Sequence, residues 1–171
     1  MIVCETQRLL IRNFKMSDVD YVLRQLNEES FIQNITDKKI RDIEGAKKYL
    51  EEGPLSSYKI NGFGLYVVQL KGSHTQIGMS GLVKREELEH PDLGYAFLPE
   101  YWGKGYAAEA GAAVLKYGIH SFDLDKVLAV TLPSNRPSNN LLIKLGFLLK
   151  GTMVLYDVIN NLYEYYANSK N

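Results

Sequence analysis

The chain has 171 residues, a length typical of one domain, and 46% of them are hydrophobic, which is enough for one packed core. Its 20 basic and 20 acidic residues cancel, so no excess positive charge predicts binding to nucleic acid. No apolar run approaches the about 20 residues that span a bilayer, which predicts no membrane partner. We therefore expect a single globular domain over residues 1–171.

The start of the chain gives two further expectations. Its first residues, Met-Ile-Val-Cys-Glu, lack the charged start and the long apolar region of a signal peptide, which predicts a cytoplasmic protein. Cys4 is the single cysteine of the sequence, so an internal disulfide and a cysteine metal cluster are both excluded. We assign no metal site.

Short strands and amphipathic helices are predicted along the first half of the chain. Apolar residues at helical spacing indicate two helices, and stretches rich in β-branched and aromatic residues indicate three strands. The predicted helices are 18–29 and 42–50, and the predicted strands are 8–13, 62–71 and 76–84. Gly53-Pro54 is predicted to end the second helix, because proline cannot continue a helical hydrogen-bond ladder.

The second half of the chain contains one strand, helix, strand unit. The predicted strands are 92–98, 126–132, 147–156 and 162–168, and the predicted helices are 105–122 and 138–145. The strands on either side of helix 105–122 are expected to be parallel. The order of elements predicts an α+β fold with a mixed, twisted sheet of six or seven strands flanked by helices.

A glycine-rich turn precedes the long helix 105–122. Gly103 and Gly105 lie between a strand and a helix, where glycine allows close backbone approach and the first helical amides are unpaired. This arrangement is typical of a pyrophosphate site. A Walker loop is excluded because Leu98 stands where its first glycine is needed. A dinucleotide fingerprint remains a weaker alternative, since Asp125 precedes the next strand instead of following it.

Several motifs together resemble a known superfamily. They are Glu5-Thr-Gln-Arg-Leu-Leu-Ile-Arg12, the run Asp92-Leu-Gly-Tyr-Ala-Phe-Leu-Pro-Glu-Tyr-Trp-Gly-Lys-Gly-Tyr-Ala-Ala-Glu-Ala110, Asn135-Arg-Pro-Ser138 and Lys144-Leu-Gly-Phe147. The sequence resembles the Gcn5-related N-acetyltransferases, in particular their Rim-like branch of ribosomal-protein alanine acetyltransferases. The resemblance implies that acetyl-coenzyme A lies where two central parallel strands splay apart.

The resemblance also implies cofactor roles for individual residues. Backbone groups of Tyr95, Ala96 and Phe97 would pair with the pantetheine arm as an added strand does. Amides from Gly103 to Ala108 would hold the pyrophosphate, which covers Gly103, Lys104, Gly105, Tyr106, Ala107 and Ala108. Further cofactor contacts are implied for Asn135, Ser138, Asn140 and Lys144, and Ser138 is a candidate to reach the cofactor sulfur.

The residues for proton transfer depart from the superfamily pattern. Leu142 and Val130 stand where several members have a tyrosine and a glutamate, and neither side chain can transfer a proton. Asp92, at the start of the first splayed strand, is our candidate base at the cleft entrance, and Ser138 is the other candidate catalytic residue. A carboxylate elsewhere, catalysis mainly by positioning and cofactor binding without turnover all remain open.

The sequence therefore predicts transfer of an acetyl group from acetyl-coenzyme A to a primary amine in a ternary complex. The Rim-like resemblance implies a protein or peptide N-terminal α-amine, while the neutral net charge leaves a small amine open. Helices 18–29 and 42–50 and the loop 32–40 are expected to wall the acceptor site. A non-catalytic acyl-coenzyme A sensor is the alternative, and a homodimer is left open.

Overall fold

The computed structural model describes residues 1–168, in which eight strands form one mixed sheet. The strands are β1 (Ile2–Glu5), β2 (Leu9–Asn13), β3 (Leu65–Leu70), β4 (Gln76–Val83), β5 (Asp92–Phe97), β6 (Lys126–Thr131), β7 (Leu148–Leu155) and β8 (Val158–Tyr166). The helices are α1 (Val19–Asn27), α2 (Glu29–Asn34), α3 (Ile43–Leu50), α4 (Ser56–Asn61), α5 (Tyr106–Phe122) and α6 (Arg136–Leu145). The single-domain assignment to 1–171 includes three last residues that lie outside the described part.

The strand order is β1-β2-β3-β4-β5-β6-β8-β7, and every neighbouring pair is antiparallel except β5 with β6. The predicted α+β class with a mixed sheet is confirmed. The sheet has one more strand than the upper estimate, because Ile2–Glu5 pairs with β2 as a short edge strand. A single parallel pair contradicts the doubly wound sheet that the dinucleotide alternative requires.

Each face of the sheet carries its own core. On one face α5 and α6 cover a cluster built around Val68, Leu93 and Val114. On the other face α1, α2 and α3 cover a second cluster around Val67, Met79 and Leu26. Side chains alternate between faces along a strand, which is why neighbours such as Val67 and Val68 belong to different cores. Among residues 1–168, no helix is long and apolar enough to cross a bilayer.

Helix α3 ends at Leu50, the last residue of the predicted helix, but Gly53-Pro54 does not end the helical segment of the chain as predicted. The chain continues through a kinked helical turn, Glu51–Leu55, into α4. Gly53 takes the non-helical angles φ −92° and ψ −105°, so the helical path bends just before Pro54, whose nitrogen has no hydrogen to donate. α4 ends at Gly62, whose φ of 79° is left-handed, and β3 consequently begins at Leu65. The extra helix supplies part of a cavity wall described below.

A two-residue turn connects the strands of the C-terminal hairpin and lies beside the cavity described below. Tyr156 and Asp157 connect β7 to β8 with φ values of 54° and 62°. Two successive left-handed residues match the right-handed twist of a hairpin, at some conformational cost for residues other than glycine. This turn extends β8 to Val158–Tyr166, longer than the predicted strand 162–168.

A buried ion pair joins β2 to the start of α1. The Arg12 guanidinium donates two hydrogen bonds of 2.9 and 2.8 Å to the carboxylate of Asp18. Asp18 also accepts from the Lys15 backbone N–H at 2.8 Å and from the Gln76 side chain. The Arg12 Nε donates to Gln69 at 3.1 Å. All three guanidinium nitrogens of Arg12 and both carboxylate oxygens of Asp18 therefore take part in hydrogen bonds.

Candidate active site

The two parallel strands at the centre of the sheet separate after a single point of pairing. β5 and β6 pair at Asp92 and Leu128, where the Leu128 N–H donates to the Pro91 carbonyl at 2.9 Å. Beyond this point β5 pairs with β4 alone, although both strands continue to Phe97 and Thr131. A wedge-shaped opening therefore lies between the carboxyl-terminal parts of β5 and β6.

Strand geometry determines which backbone groups of β5 face this opening. The Leu98 N–H donates to the Ile77 carbonyl of β4 at 2.9 Å. Backbone groups alternate in direction along an antiparallel strand, so those of Ala96 also point to β4 while those of Tyr95 and Phe97 point to the opening. The predicted backbone contact of Ala96 with a cofactor is therefore not supported.

The indole of Trp102 forms a hydrogen bond with one of the backbone groups at the opening. Its Nε1 donates to the Phe97 carbonyl at 2.9 Å, a contact that sequence reasoning missed. The N–H and carbonyl of Tyr95 and the N–H of Phe97 remain directed into the wedge. They form a short free strand edge, suited to pairing with an extended amide-containing ligand.

A short 3₁₀ turn, Pro99–Tyr101, connects β5 to the glycine turn, which ends at the first turn of α5. Gly103 and Gly105 have φ values of 71° and 81°, and Gly105 is the N-cap residue of α5. The first helical bond joins the Glu109 N–H to the Gly105 carbonyl, which leaves the amides of Tyr106, Ala107 and Ala108 without helical partners. A side chain added at Gly103 would meet no atom within 4 Å. The segment Gly103–Ala108, here called the cradle, thus presents amides to open space at a helix N-terminus.

Residues from the start of the chain brace the cradle. The Arg8 guanidinium donates to the Lys104 carbonyl at 2.9 Å and to the Glu109 carboxylate at 2.7 Å, and it stacks 4.4 Å from the Tyr106 ring. Thr6 donates to the same carboxylate at 2.5 Å. The motif around Thr6 and Arg8 contributed to the family resemblance, but the sequence did not indicate that it contacts the cradle.

Ser138 lies on the opposite side of the wedge, in a chain of three hydroxyls. The Thr131 hydroxyl donates to Ser138 Oγ at 2.8 Å, and the Tyr95 hydroxyl lies 2.6 Å from the same oxygen. Burial raises the pKa of Tyr95 to about 12, and the hydrogen bond to Ser138 opposes this rise. Ser138 is thereby held between the ends of the two splayed strands.

Helix α6 begins two residues earlier than the predicted helix 138–145. α6 begins at Arg136, and Asn135 is its N-cap, since the Asn135 side-chain oxygen accepts from the Ser138 N–H at 3.3 Å. The side-chain oxygen of Asn135 is thus used locally, while its amide group makes no hydrogen bond within residues 1–168. Asn140 and Lys144 are exposed one turn apart on α6. Their predicted contacts with the nucleotide end stay predictions.

Asp92 does not lie at the entrance of the wedge, contrary to the prediction. It sits at the closed end, where the two strands pair, and its side chain is 3% exposed. Its Oδ1 accepts from Arg85 Nε at 2.9 Å. Burial raises the pKa of Asp92 to about 6, an effect that the Arg85 charge opposes. A buried carboxylate tied to an arginine is poorly placed to take a proton from an incoming amine directly.

A cavity of about 370 Å³ reaches the splayed strand from the other face of the sheet. Its floor includes Gly94 and Tyr95, and its walls come from α2, α3, the kinked turn 51–55 and α4. Arg85 and the hairpin-turn residue Tyr156 also line it. Loop 32–40 contributes through Ile35 and Lys38, while α1 contributes no lining residue. Of the elements expected to wall an acceptor site, α3 and loop 32–40 line this cavity and α1 does not.

The described residues contain no group of three or more His, Cys, Asp or Glu side chains able to hold a metal ion. The thiol of Cys4 is half-buried on β1, and burial raises its pKa to about 11. The chemistry available around the wedge therefore consists of backbone amides, hydroxyls and the residues of the cavity.

Comparison with solved structures shows where this architecture recurs. RimL, a ribosomal L7/L12 α-N-protein acetyltransferase in complex with coenzyme A, superposes with a TM-score of 0.85 at 15% identity, covering 99% of this chain and 100% of that one. A chimera of the spermidine N-acetyltransferase SpeG from Vibrio cholerae gives a TM-score of 0.76 at 15% identity, covering 92% and 95%. At these identities the comparison shows a shared fold.

Sequence comparison extends the relationship. The N-acetyltransferase YnaD of Bacillus subtilis (strain 168), whose activity is uncharacterized, is 29% identical over 146 residues, which are 85% of this chain and 82% of that protein. The family model of the acetyltransferase (GNAT) domain matches residues 8–148, from Arg8 to the start of β7. The chain therefore belongs to the GNAT family of acetyltransferases.

Proposed function

We propose that the protein transfers an acetyl group from acetyl-coenzyme A to a primary amine, with both substrates bound together. The observation that carries this proposal is the wedge between β5 and β6 together with the cradle, which follows β5 after the short turn Pro99–Tyr101. An extended amide arm and a pyrophosphate, joined in one ligand, match these two adjacent features. Membership in the GNAT family supports the same conclusion.

The described residues fit such a cosubstrate. The backbone of Tyr95 and Phe97 would pair with the pantetheine arm, and the cradle amides would hold the pyrophosphate near the positive end of α5. Open space above Gly103 is consistent with a phosphate at that point. Lys104, Asn140, Lys144 and the amide group of Asn135 are the side-chain candidates for the remaining polar groups of the cofactor. Arg8 would hold the cradle in shape.

Two groups of the wedge would assist the reaction. Bound acetyl-coenzyme A supplies the thioester that donates the acetyl group. The Tyr95 N–H points into the wedge and is our candidate to polarise the thioester carbonyl. Ser138 is our candidate to return a proton to the sulfur: as it donates its own proton it would take one from the Tyr95 hydroxyl, which would in turn be reprotonated from solvent. Leu142, at the position where the superfamily resemblance implies a tyrosine in several members, is fully buried in the core.

The acceptor would enter through the cavity on the other face of the sheet and lose its proton to water. Asp92 is too enclosed for this task, so the site would rely mainly on positioning. An α-amine titrates near pH 8 and a lysine near pH 10.4, so an α-amine demands less of a base. RimL and SpeG, by their names, act on a protein α-amine and on spermidine. The Rim-like branch, an acceptor that is either a protein or peptide α-amine or a small-molecule amine, and a homodimer are finer assignments of this proposal.

The proposal is tested by binding of acetyl-coenzyme A to two glycine variants. Gly105→Val places a β-carbon 3.3 Å from Arg8 Nη2 and forces a β-branched residue to a φ of 81°, inside the cradle. Gly72→Val imposes similar strain at a φ of 87° in the β3–β4 turn, where a β-carbon meets no atom within 4 Å. We expect Gly105→Val to weaken binding by about a hundredfold or more, measured by calorimetry, and Gly72→Val to bind as the wild type does.

Normal binding by a folded Gly105→Val protein would show that the cradle is not the pyrophosphate site. Equal loss in both variants would attribute the effect to general strain. Absence of binding by the wild type near millimolar acetyl-coenzyme A would contradict the proposed function itself.

A further inference from the structure

Two cations converge on one neutral oxygen at the rim of the acceptor cavity. Lys38 Nζ donates to the Tyr156 hydroxyl at 3.2 Å, and Arg85 Nη1 donates to it at 3.0 Å. Both cations also lie over the Tyr156 ring, at 4.9 and 5.8 Å from its centre. Lys38 lies between α2 and α3, Arg85 lies two residues after β4, and Tyr156 lies in the β7–β8 turn. The fold therefore assembles the three side chains from distant parts of the sequence.

The charged side chains that line the cavity are Lys38, Lys84, Arg85 and Glu52, so cations outnumber carboxylates there. Arg85 is neutralised on its inner side by Asp92, but its Nη1 faces outward to the phenol. No carboxylate within residues 1–168 pairs with Lys38, which donates to Tyr156 instead. Burial raises the pKa of Tyr156, yet Arg85 and Lys38 together lower it below its ordinary value. An anion at the position of the hydroxyl would thus be stabilised by two charged donors.

The cavity links this point to the reaction wedge. The same lining that includes Lys38, Arg85 and Tyr156 reaches Gly94 and Tyr95 on the splayed strand. A volume of about 370 Å³ is at the small end of ligand pockets, which suits a small molecule spanning the two ends. A polycation such as a polyamine would bring positive charge to the two cations and be repelled.

We propose that Lys38 and Arg85 bind an anionic group of the acceptor, a carboxylate or a phosphate, in place of the Tyr156 hydroxyl. The acceptor is then a small amine that carries a negative charge away from its nitrogen. This inference rests on the proposed function, because it needs the cavity to hold the amine. It assigns Lys38, Arg85 and Tyr156 as specificity residues, a role that the sequence motifs do not indicate.

The test compares acceptors that differ only in the anionic group. The pairs are 4-aminobutyrate and 4-aminobutanamide, and 3-aminopropyl phosphate and 3-aminopropanol, with spermidine as a polycation. Thiol release gives kcat/KM for each, corrected for the fraction of neutral amine. We expect an anionic member to exceed its neutral partner by about tenfold to a hundredfold, the range of a charged hydrogen bond. The carboxylate and phosphate pairs distinguish the two sources of charge.

Lys38→Gln removes one cation while leaving the Arg85 contact with Asp92 intact. We expect it to reduce the preference for the anionic member by about tenfold and to leave the calorimetric affinity for acetyl-coenzyme A unchanged. Lys39→Gln is the matched control, since Lys39 neighbours Lys38 but does not line the cavity, and it keeps the preference.

Several results would overturn the inference while leaving cofactor binding in place. They are a wild-type preference for the neutral members or for spermidine, an unchanged preference in Lys38→Gln, and transfer to no amine of the panel although acetyl-coenzyme A binds. Faster transfer to a neutral N-terminal peptide than to every anionic small amine also overturns it. Loss of acetyl-coenzyme A binding in the wild type would instead contradict the proposed function.

Discussion

Two buried carboxylates in this protein each pair with an arginine, and their surroundings differ. Asp18 receives two bonds from Arg12, one from a backbone N–H and one from Gln76. Asp92 receives a single side-chain bond from Arg85, whose other end reaches out of the sheet to Tyr156. The first arginine is enclosed within its own network, while the second spans from the core to a cavity.

The difference separates a structural pair from one that is coupled to the candidate site. Arg12 makes four hydrogen bonds, to Asp18, to Gln69 and to the Asn13 carbonyl, and all of them lie within its own network. Arg85 uses one donor on a neutral phenol, which an anion can replace. Burial raises the pKa of Asp92 to about 6, which is consistent with its incomplete set of donors.

The largest expected effect follows from breaking the enclosed pair. Asp18→Ala leaves the Arg12 guanidinium buried without its carboxylate, and such losses typically cost about 3–5 kcal/mol of unfolding free energy. We expect a loss of this size in urea unfolding at pH 7. Acetyl-coenzyme A affinity of the folded protein should stay at the wild-type value, because the pair contacts neither the wedge nor the cradle.

Asp20→Asn is the control for this prediction, since Asp20 is exposed on α1 and removal of its charge should change the unfolding free energy little. A loss below about 1 kcal/mol in Asp18→Ala would show that the network does not stabilise the fold as its geometry indicates.

A smaller, pH-dependent effect is expected at the second pair. The folded-state pKa of Asp92 is about 6 and the unfolded value about 3.9, so the native state binds more protons between these values. Stability from this group therefore falls as pH rises from about 4 to 6, by about 2–3 kcal/mol, and stays low above pH 6. Asp92→Asn cannot titrate. The unfolding free energy of Asp92→Asn minus that of the wild type should therefore increase by about 2 kcal/mol as pH rises from about 4.5 to 7.5.

Urea unfolding of both proteins across this range measures the difference, in which the contributions of all other carboxylates cancel. Parallel pH profiles would show that Asp92 does not titrate near pH 6. Because the amide oxygen introduced by Asp92→Asn would still accept from Arg85, kcat at pH 7.5 should stay within about tenfold of the wild type. A loss of about 10²-fold or more would restore Asp92 as the general base.

Local sequence chemistry was sufficient to predict the cradle. Glycine at Gly103 and Gly105 is needed because both residues adopt positive φ, and the helix that follows is recognisable from its own residues. The α+β order followed in the same way, since strands and helices such as β4 and α5 are defined by short-range periodicity. These parts of the fold depend on residues close together in the chain.

Contacts between distant segments could not be predicted in this way. Arg8 meets Glu109, and Lys38 meets Tyr156, across most of the sequence. The placement of Asp92 failed for the same reason, because its register against Leu128, which puts it at the closed end of the wedge, is set by tertiary pairing. Gly53-Pro54 misled because a kink, a less frequent solution than a stop, joins two helical segments there.

The central claim is that the protein moves an acetyl group to an amine, beyond binding acetyl-coenzyme A. The direct measurement is mass spectrometry of an amine acceptor incubated with enzyme and acetyl-coenzyme A, with free thiol quantified in the same reaction. We expect one acetylated amine for each thiol released, with thiol release that depends on the acceptor. Thiol release that no amine stimulates, or cofactor binding without any acetylated product, would contradict it and indicate an acyl-coenzyme A-binding module.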